Sequence, residues 1–101
     1  MTFDENGICV LESLTSVDEC EAYIDFLKYD ERPRHQAAKM IAENFIAWAF
    51  HRSRIAPDAE AYLEAKARLY DSAATRHQQD IDAIAKRLLE IEAHKAKLEG
   101  K

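Results

Sequence analysis

Apolar residues recur along the chain with the 3.6-residue period of an α-helix, and the period is broken at Gly7, Pro33 and Pro57. Residues 1–13 carry the weakest helical signal. After Gly7 come Ile8, Cys9, Val10 and Leu11. A single short strand has no partner to pair with, so an arm or loop is expected there. Ser16 followed by Glu19 reads as a capping box, with Asp18 and Glu21 also near the positive end of the helix dipole. Val17, Cys20, Tyr23, Ile24 and Leu27 then give one apolar face, which predicts a helix over 16–31. Pro33 disfavours helical geometry at Arg32, so this helix is expected to stop at Asp30–Pro33.

A second helix is expected over 34–54. Its run Phe45-Ile46-Ala47-Trp48-Ala49-Phe50 has no polar side chain apart from the Trp48 N–H. A helix apolar all round is a buried helix, so Phe45, Trp48 and Phe50 are expected to pack on Leu63, Leu69 and Tyr70. Pro57 suits the first position of a third helix, because its missing N–H is not needed there. From 57 to 98 there is neither Gly nor Pro. A 4-3 spacing runs through Leu63, Ala67, Tyr70, Ala74, His77, Ile81, Ile84, Leu88, Ile91, Lys95 and Leu98. That spacing supports a long coiled-coil-like helix. Its weak stretch is 71–79, where a kink with Ser72 as a cap is expected.

The fold class that follows is all-α. The chain reads as one helical domain, 1–101, a small bundle with a short N-terminal arm, two medium helices and one long C-terminal helix. Composition agrees. Two Gly and two Pro in 101 residues are too few for a turn-rich sandwich or barrel, and no apolar run reaches 18 residues. No basic, apolar leader precedes the acidic start, and Cys9 and Cys20 fit neither CxxC nor a zinc pattern. A cytoplasmic protein with two small apolar thiols is the expectation.

Net charge changes the picture when it is divided. The total is −5. Residues 1–31 hold nine acids and one base, 32–56 five bases and one acid, and 57–101 nine acids and eight bases. Overall acidity argues against direct nucleic-acid binding, which needs clustered Lys and Arg to displace counterions. Asp18, Glu21 and Asp25 form a carboxylate array on the first helix that is able to imitate phosphates before a basic partner.

Candidate chemistry is sparse. His35, His51, His77 and His94 show no recognisable metal-ligand pattern, so no metal is expected. His77, on the seam, reads as a polar residue that sets register. No nucleophile signature surrounds either cysteine, and no cofactor motif is present, so neither catalytic nor cofactor-binding residues are assigned. The seam Ile81, Ile84, Leu88, Ile91 and Leu98 outruns the two shorter helices and is expected to face a protein partner. The sequence therefore predicts a non-enzymatic interaction module that docks on a larger protein or self-associates. Two alternatives remain: a phage-type inhibitor of a host nucleic-acid-processing enzyme acting through the acidic helix, and a structural homo-oligomeric coiled coil.

Overall fold

The structure, a computed structural model, describes residues 1–100. It is all-α: helix α1 (Val17–Phe26), a π turn (Leu27–Glu31), helix α2 (Arg32–Ile55), and helix α3 (Glu60–Leu98). Short 3₁₀ turns occupy Leu11–Ser13 and Pro57–Ala59. No helix among the described residues is long and apolar enough to cross a membrane. The chain divides into two compact units. The first comprises Met1–Arg32 with the chain from Ala83 onward, and the second is Pro33–Asp82.

In the first unit, residues 1–13 are a folded loop and not an extended arm. One carboxylate oxygen of Asp4 accepts from the N–H groups of Asn6 and Ile8, both at 2.9 Å. The Asp4 N–H donates to the Ile8 carbonyl at 2.8 Å, and Phe3 and Cys9 form a lone antiparallel bridge. Gly7, at φ +78°, makes the reversal, in a backbone region that side chains with a Cβ rarely enter. The Ser13 hydroxyl accepts from the Thr2 N–H at 2.8 Å and donates to the Val10 carbonyl at 2.6 Å. This loop delivers Cys9 and Leu14 into a core with Cys20, Tyr23, Ile24 and Leu27 of the α1 segment and Ile84, Leu88 and Ile91 of α3. Both cysteines are free thiols.

The Ser16 hydroxyl accepts from the Glu19 N–H at 3.1 Å, as a helix N-cap should. The Glu19 carboxylate does not complete the reciprocal half of a capping box through the backbone. It accepts from the Thr15 hydroxyl at 3.0 Å and from the N-terminal ammonium at 3.3 Å. Those two hydrogen bonds, that from Thr15 foremost, hold the Glu19 carboxyl below its ordinary range.

Pro33 does not end the helix. Ahead of it the chain shifts to π geometry, and the Arg32 N–H donates to the carbonyl of Leu27, five residues back. A π turn widens the helix locally, which accommodates a residue that lacks an N–H and whose ring crowds the preceding turn. The expected stop at Asp30–Pro33 is thus an irregular turn between two helical stretches. The weak stretch 71–79 likewise stays helical within α3. It lacks Gly and Pro, and Ala73 and Ala74 are strong helix formers.

The second unit is a helical hairpin. The Ala56–Ala59 connection reverses the chain, with Pro57 at the first position of its 3₁₀ turn. Antiparallel pairing is fixed by the Phe45 and Tyr70 rings, stacked at 4.2 Å, and by His35 against His77. The fully buried positions of the hairpin are Ala42, Ala49, Leu63 and Ala74, three of them alanines. Small side chains let the helices approach closely but bury little area.

Candidate functional site

The sequence-predicted seam Ile81–Leu98 is, for the most part, internal. Ile84, Leu88 and Ile91 are buried in the first unit, Ile91 completely, and Ile81 is half-buried. Leu98 is the exception at 39% exposure. The expectation that this stripe must find another chain is corrected by the N-terminal loop and α1, which cover it. Two polar contacts hold that cover in place. A terminal nitrogen of Arg87 donates to the Cys9 carbonyl, and its other terminal nitrogen pairs with Glu90 at 2.7 Å. His94 Nε2 donates to the Leu14 carbonyl at 2.7 Å. The 4-3 spacing did select the inward face of α3, since all its members from Leu63 to Lys95 are buried or half-buried.

Asp18, Glu21 and Asp25 are exposed on α1. Their spacings of three and four residues place them on one face. Glu21 also reaches Lys95 at 3.4 Å, and this contact raises the lysine's pKa. Burial pushes the Cys20 thiol and the Tyr23 phenol up, which keeps both neutral at physiological pH.

Uncovered apolar surface lies on both units, on the first at Phe3, Ile8, Phe26, Tyr29 and Leu89, and on the hairpin as a connected set. Met40, Ile41, Trp48, Phe50, Ile55, Tyr62 and Leu69 are all exposed, Trp48 at 49% and Leu69 at 64%. The sequence placed Trp48, Phe50 and Leu69 inside. Within a two-helix unit, however, each helix has only one neighbour, so a helix apolar all round buries one stripe and exposes the rest. A groove of about 420 Å³ runs along one side, lined by Ile46, Phe50 and Ser53 of α2 and Glu64, Ala67, Arg68 and Asp71 of α3.

The opposite side carries large apolar side chains, with Lys66 Nζ 5.8 Å from the centre of the Tyr62 ring. Trp48 lies two residues from Phe50, Tyr62 two from Glu64, and Leu69 two from Asp71. Residues two apart on a helix point to roughly opposite sides. Ile41, Trp48 and Ile55 are spaced by seven, as are Tyr62 and Leu69, so each set stays on one line. The two lines share the face that looks away from the groove. That heptad spacing was visible in the sequence; only the pairing of α2 with α3 shows that it is uncovered.

A second cluster was also missed. His35 Nδ1 lies 3.0 Å from His77 Nδ1 and 3.5 Å from a carboxylate oxygen of Asp80. His77 and Asp80 are three residues apart on α3, a spacing legible in the sequence, whereas His35 joins them only through the hairpin.

Comparison with known proteins gives no relative from which a role could be carried over: no family model, no curated protein and no solved structure matches the chain.

Proposed function

We propose that the chain is a non-enzymatic protein–protein interaction module, and that its hairpin docks through the apolar face formed by Ile41, Trp48, Ile55, Tyr62 and Leu69. The observation that carries this reading is the exposure of these five side chains beside a hairpin interior made mostly of alanine. A two-helix layer with so small an interior gains stability when a second layer covers it.

A second copy of the chain is the occupant that fits. Residues 33–82 hold seven bases (Arg34, Lys39, Arg52, Arg54, Lys66, Arg68, Arg76) and seven acids (Glu43, Asp58, Glu60, Glu64, Asp71, Asp80, Asp82). A unit without net charge meets its own image without net repulsion, and an isologous contact needs only one self-complementary patch. Half-exposed side chains of this size each present on the order of 100 Å². Five per copy bury about 1,000 Å² between two copies, the lower bound for a specific interface. The product is a four-helix bundle made from two hairpins.

Sedimentation equilibrium of the full chain tests this. A dimer is expected at about 100 μM, dissociating with Trp48→Glu or Ile41→Glu and persisting with Phe50→Glu on the groove side. The single tryptophan supplies a second readout, since its emission shifts to the blue as dimer forms. A chain that stays monomeric at that concentration refutes self-association and leaves docking on a larger protein as the use of the face.

A second reading rests on charge. Outside the hairpin the chain carries twelve acids and seven bases, so the whole net charge of −5 belongs to residues 1–32 and 83–101. Asp18, Glu21 and Asp25 are exposed there on one helix face. This arrangement supports an inhibitor that occupies a basic, phosphate-binding surface, with binding that weakens steeply as salt rises.

A further inference from the structure

We propose that His35, His77 and Asp80 form a binding site for a zinc-class divalent transition metal that clips α2 to α3. The inference stands on the hairpin alone and does not depend on the docking face.

Two of the three ligand–ligand distances match a shared cation, and the third, between His77 and Asp80, lies within 4.8 Å. Zinc binds imidazole nitrogen at 2.0–2.1 Å in tetrahedral geometry, which sets neighbouring ligand atoms about 3.3 Å apart. The two Nδ1 atoms are 3.0 Å apart and His35 Nδ1 is 3.5 Å from the Asp80 oxygen, values on either side of that edge. Each residue offers one ligand atom, and all three atoms lie within 4.8 Å of one another. The imidazole rings are inclined at 46° and so do not stack face to face.

Hydrogen bonding alone serves this cluster poorly. His35 Nδ1 has either one proton or one lone pair. It faces His77 Nδ1, a donor or an acceptor according to its tautomer, and the Asp80 oxygen, an acceptor; in either tautomer it makes one good hydrogen bond and leaves the other contact unmade. A metal ion at the centre takes a lone pair from all three atoms at once. One carboxylate leaves the bound divalent ion with a net single positive charge, acceptable at a site whose residues are half-buried or exposed. Three protein ligands leave a fourth position for water.

The donor set also selects the metal. Two imidazoles favour zinc and its transition-metal neighbours, whereas calcium and magnesium take oxygen donors. The His35 end of α2 lies at the far end of the hairpin from the Ala56–Ala59 connection, where no covalent link holds the helices together. A metal clip there adds a link between α2 and α3 at the end away from their covalent connection.

Calorimetric titration of the full chain with Zn²⁺ tests the site, with circular dichroism to establish that each variant is folded. One ion per chain is expected, with Mg²⁺ and Ca²⁺ failing to compete. His35→Gln and His77→Gln each weaken binding by about 100-fold or more, beyond the loss typical of an outer-shell change. The exposed Asp80→Asn variant weakens it at least about tenfold, and His51→Gln leaves it unchanged. Co²⁺ gives a second readout, an absorption band of tetrahedral coordination that disappears in His77→Gln. The proposal is overturned if the wild-type chain binds Zn²⁺ no tighter than about 1 mM. Retention of wild-type affinity in the folded double variant His35→Gln/His77→Gln also overturns it.

Discussion

Truncating Ile91 to alanine tests whether the apolar stripe of α3 serves the chain's own core or a partner. Ile91 is fully buried, packed in the cluster that joins Cys9 and Leu14 of the N-terminal loop to Leu27 and Leu88. Removing the buried atoms and leaving a cavity costs about 2–5 kcal/mol. The cost falls on the first unit, so hydrogen exchange measured peptide by peptide is the suitable assay. Protection over residues 17–31 and 84–98 falls by a factor of between about 30 and several thousand, since about 1.4 kcal/mol corresponds to a factor of ten. Leu89, two residues away and 74% exposed, supplies the control. Leu89→Ala changes protection by no more than a factor of about two to three, as expected for an exposed side chain. The Ile91→Ala effect is the same at high and low protein concentration, because the cover comes from the same chain. An effect that matches Leu89→Ala, or one that fades on dilution over a hundredfold range, refutes the reasoning.

Other consequences follow from the first unit. Gly7→Ala destabilises the N-terminal loop by about 1–2 kcal/mol, the cost of a left-handed backbone for a residue with a Cβ, although no atom lies within 4 Å of the new methyl group. Exchange protection at Cys9 and Val10 reads the loss. Glu19 has its folded pKa below the unfolded value, so its contribution is present above the ordinary carboxylate range and is lost as pH falls through the folded value. Glu19→Gln should therefore flatten the stability profile below about pH 4.5, and an unchanged acid limb counts against the Thr15 and N-terminal contacts. Cys9 and Cys20 are wholly buried, with the Cys20 thiol pushed up by burial. Alkylation of both in the native chain should run at least about 1,000-fold slower than after denaturation, and rapid stoichiometric labelling would contradict that core.

The helical class and the inward face of α3 were legible because both follow from spacing within one segment. The apolar 4-3 series found the buried line from Leu63 to Ile91, and Ser16 marked the start of α1 through its hydroxyl. Part of what covers its C-terminal stretch was not legible. Cys9 and Leu14, which join the α1 face over Ile84, Leu88 and Ile91, lie in a segment without periodicity, positioned by the Asp4 turn and by contacts from Arg87 and His94 some 78–80 residues away. Pro33 misled for a physical reason: the rule against proline inside a helix assumes α geometry, and one π turn relaxes it. The His35–His77 contact spans 42 residues, so no local spacing announces it.

Charge divides between the two units in a way that bears on what each can do. Residues 1–32 and 83–101 carry the entire net charge of −5 and hold the large-residue core; residues 33–82 are neutral, with an interior mostly of alanine and an apolar outer face. The first unit buries Leu14, Leu27, Ile84, Leu88 and Ile91 and carries the net charge, so its carboxylate face interacts through electrostatics that salt screens. A neutral unit with aromatic and branched side chains outside behaves in the opposite way. It gains by burial against another apolar surface, and that gain is insensitive to salt. Ionic strength therefore separates the two proposed modes of recognition in a single titration. Association that survives high salt and is lost in Trp48→Glu assigns recognition to Ile41, Trp48, Ile55, Tyr62 and Leu69, and association that collapses assigns it to Asp18, Glu21 and Asp25.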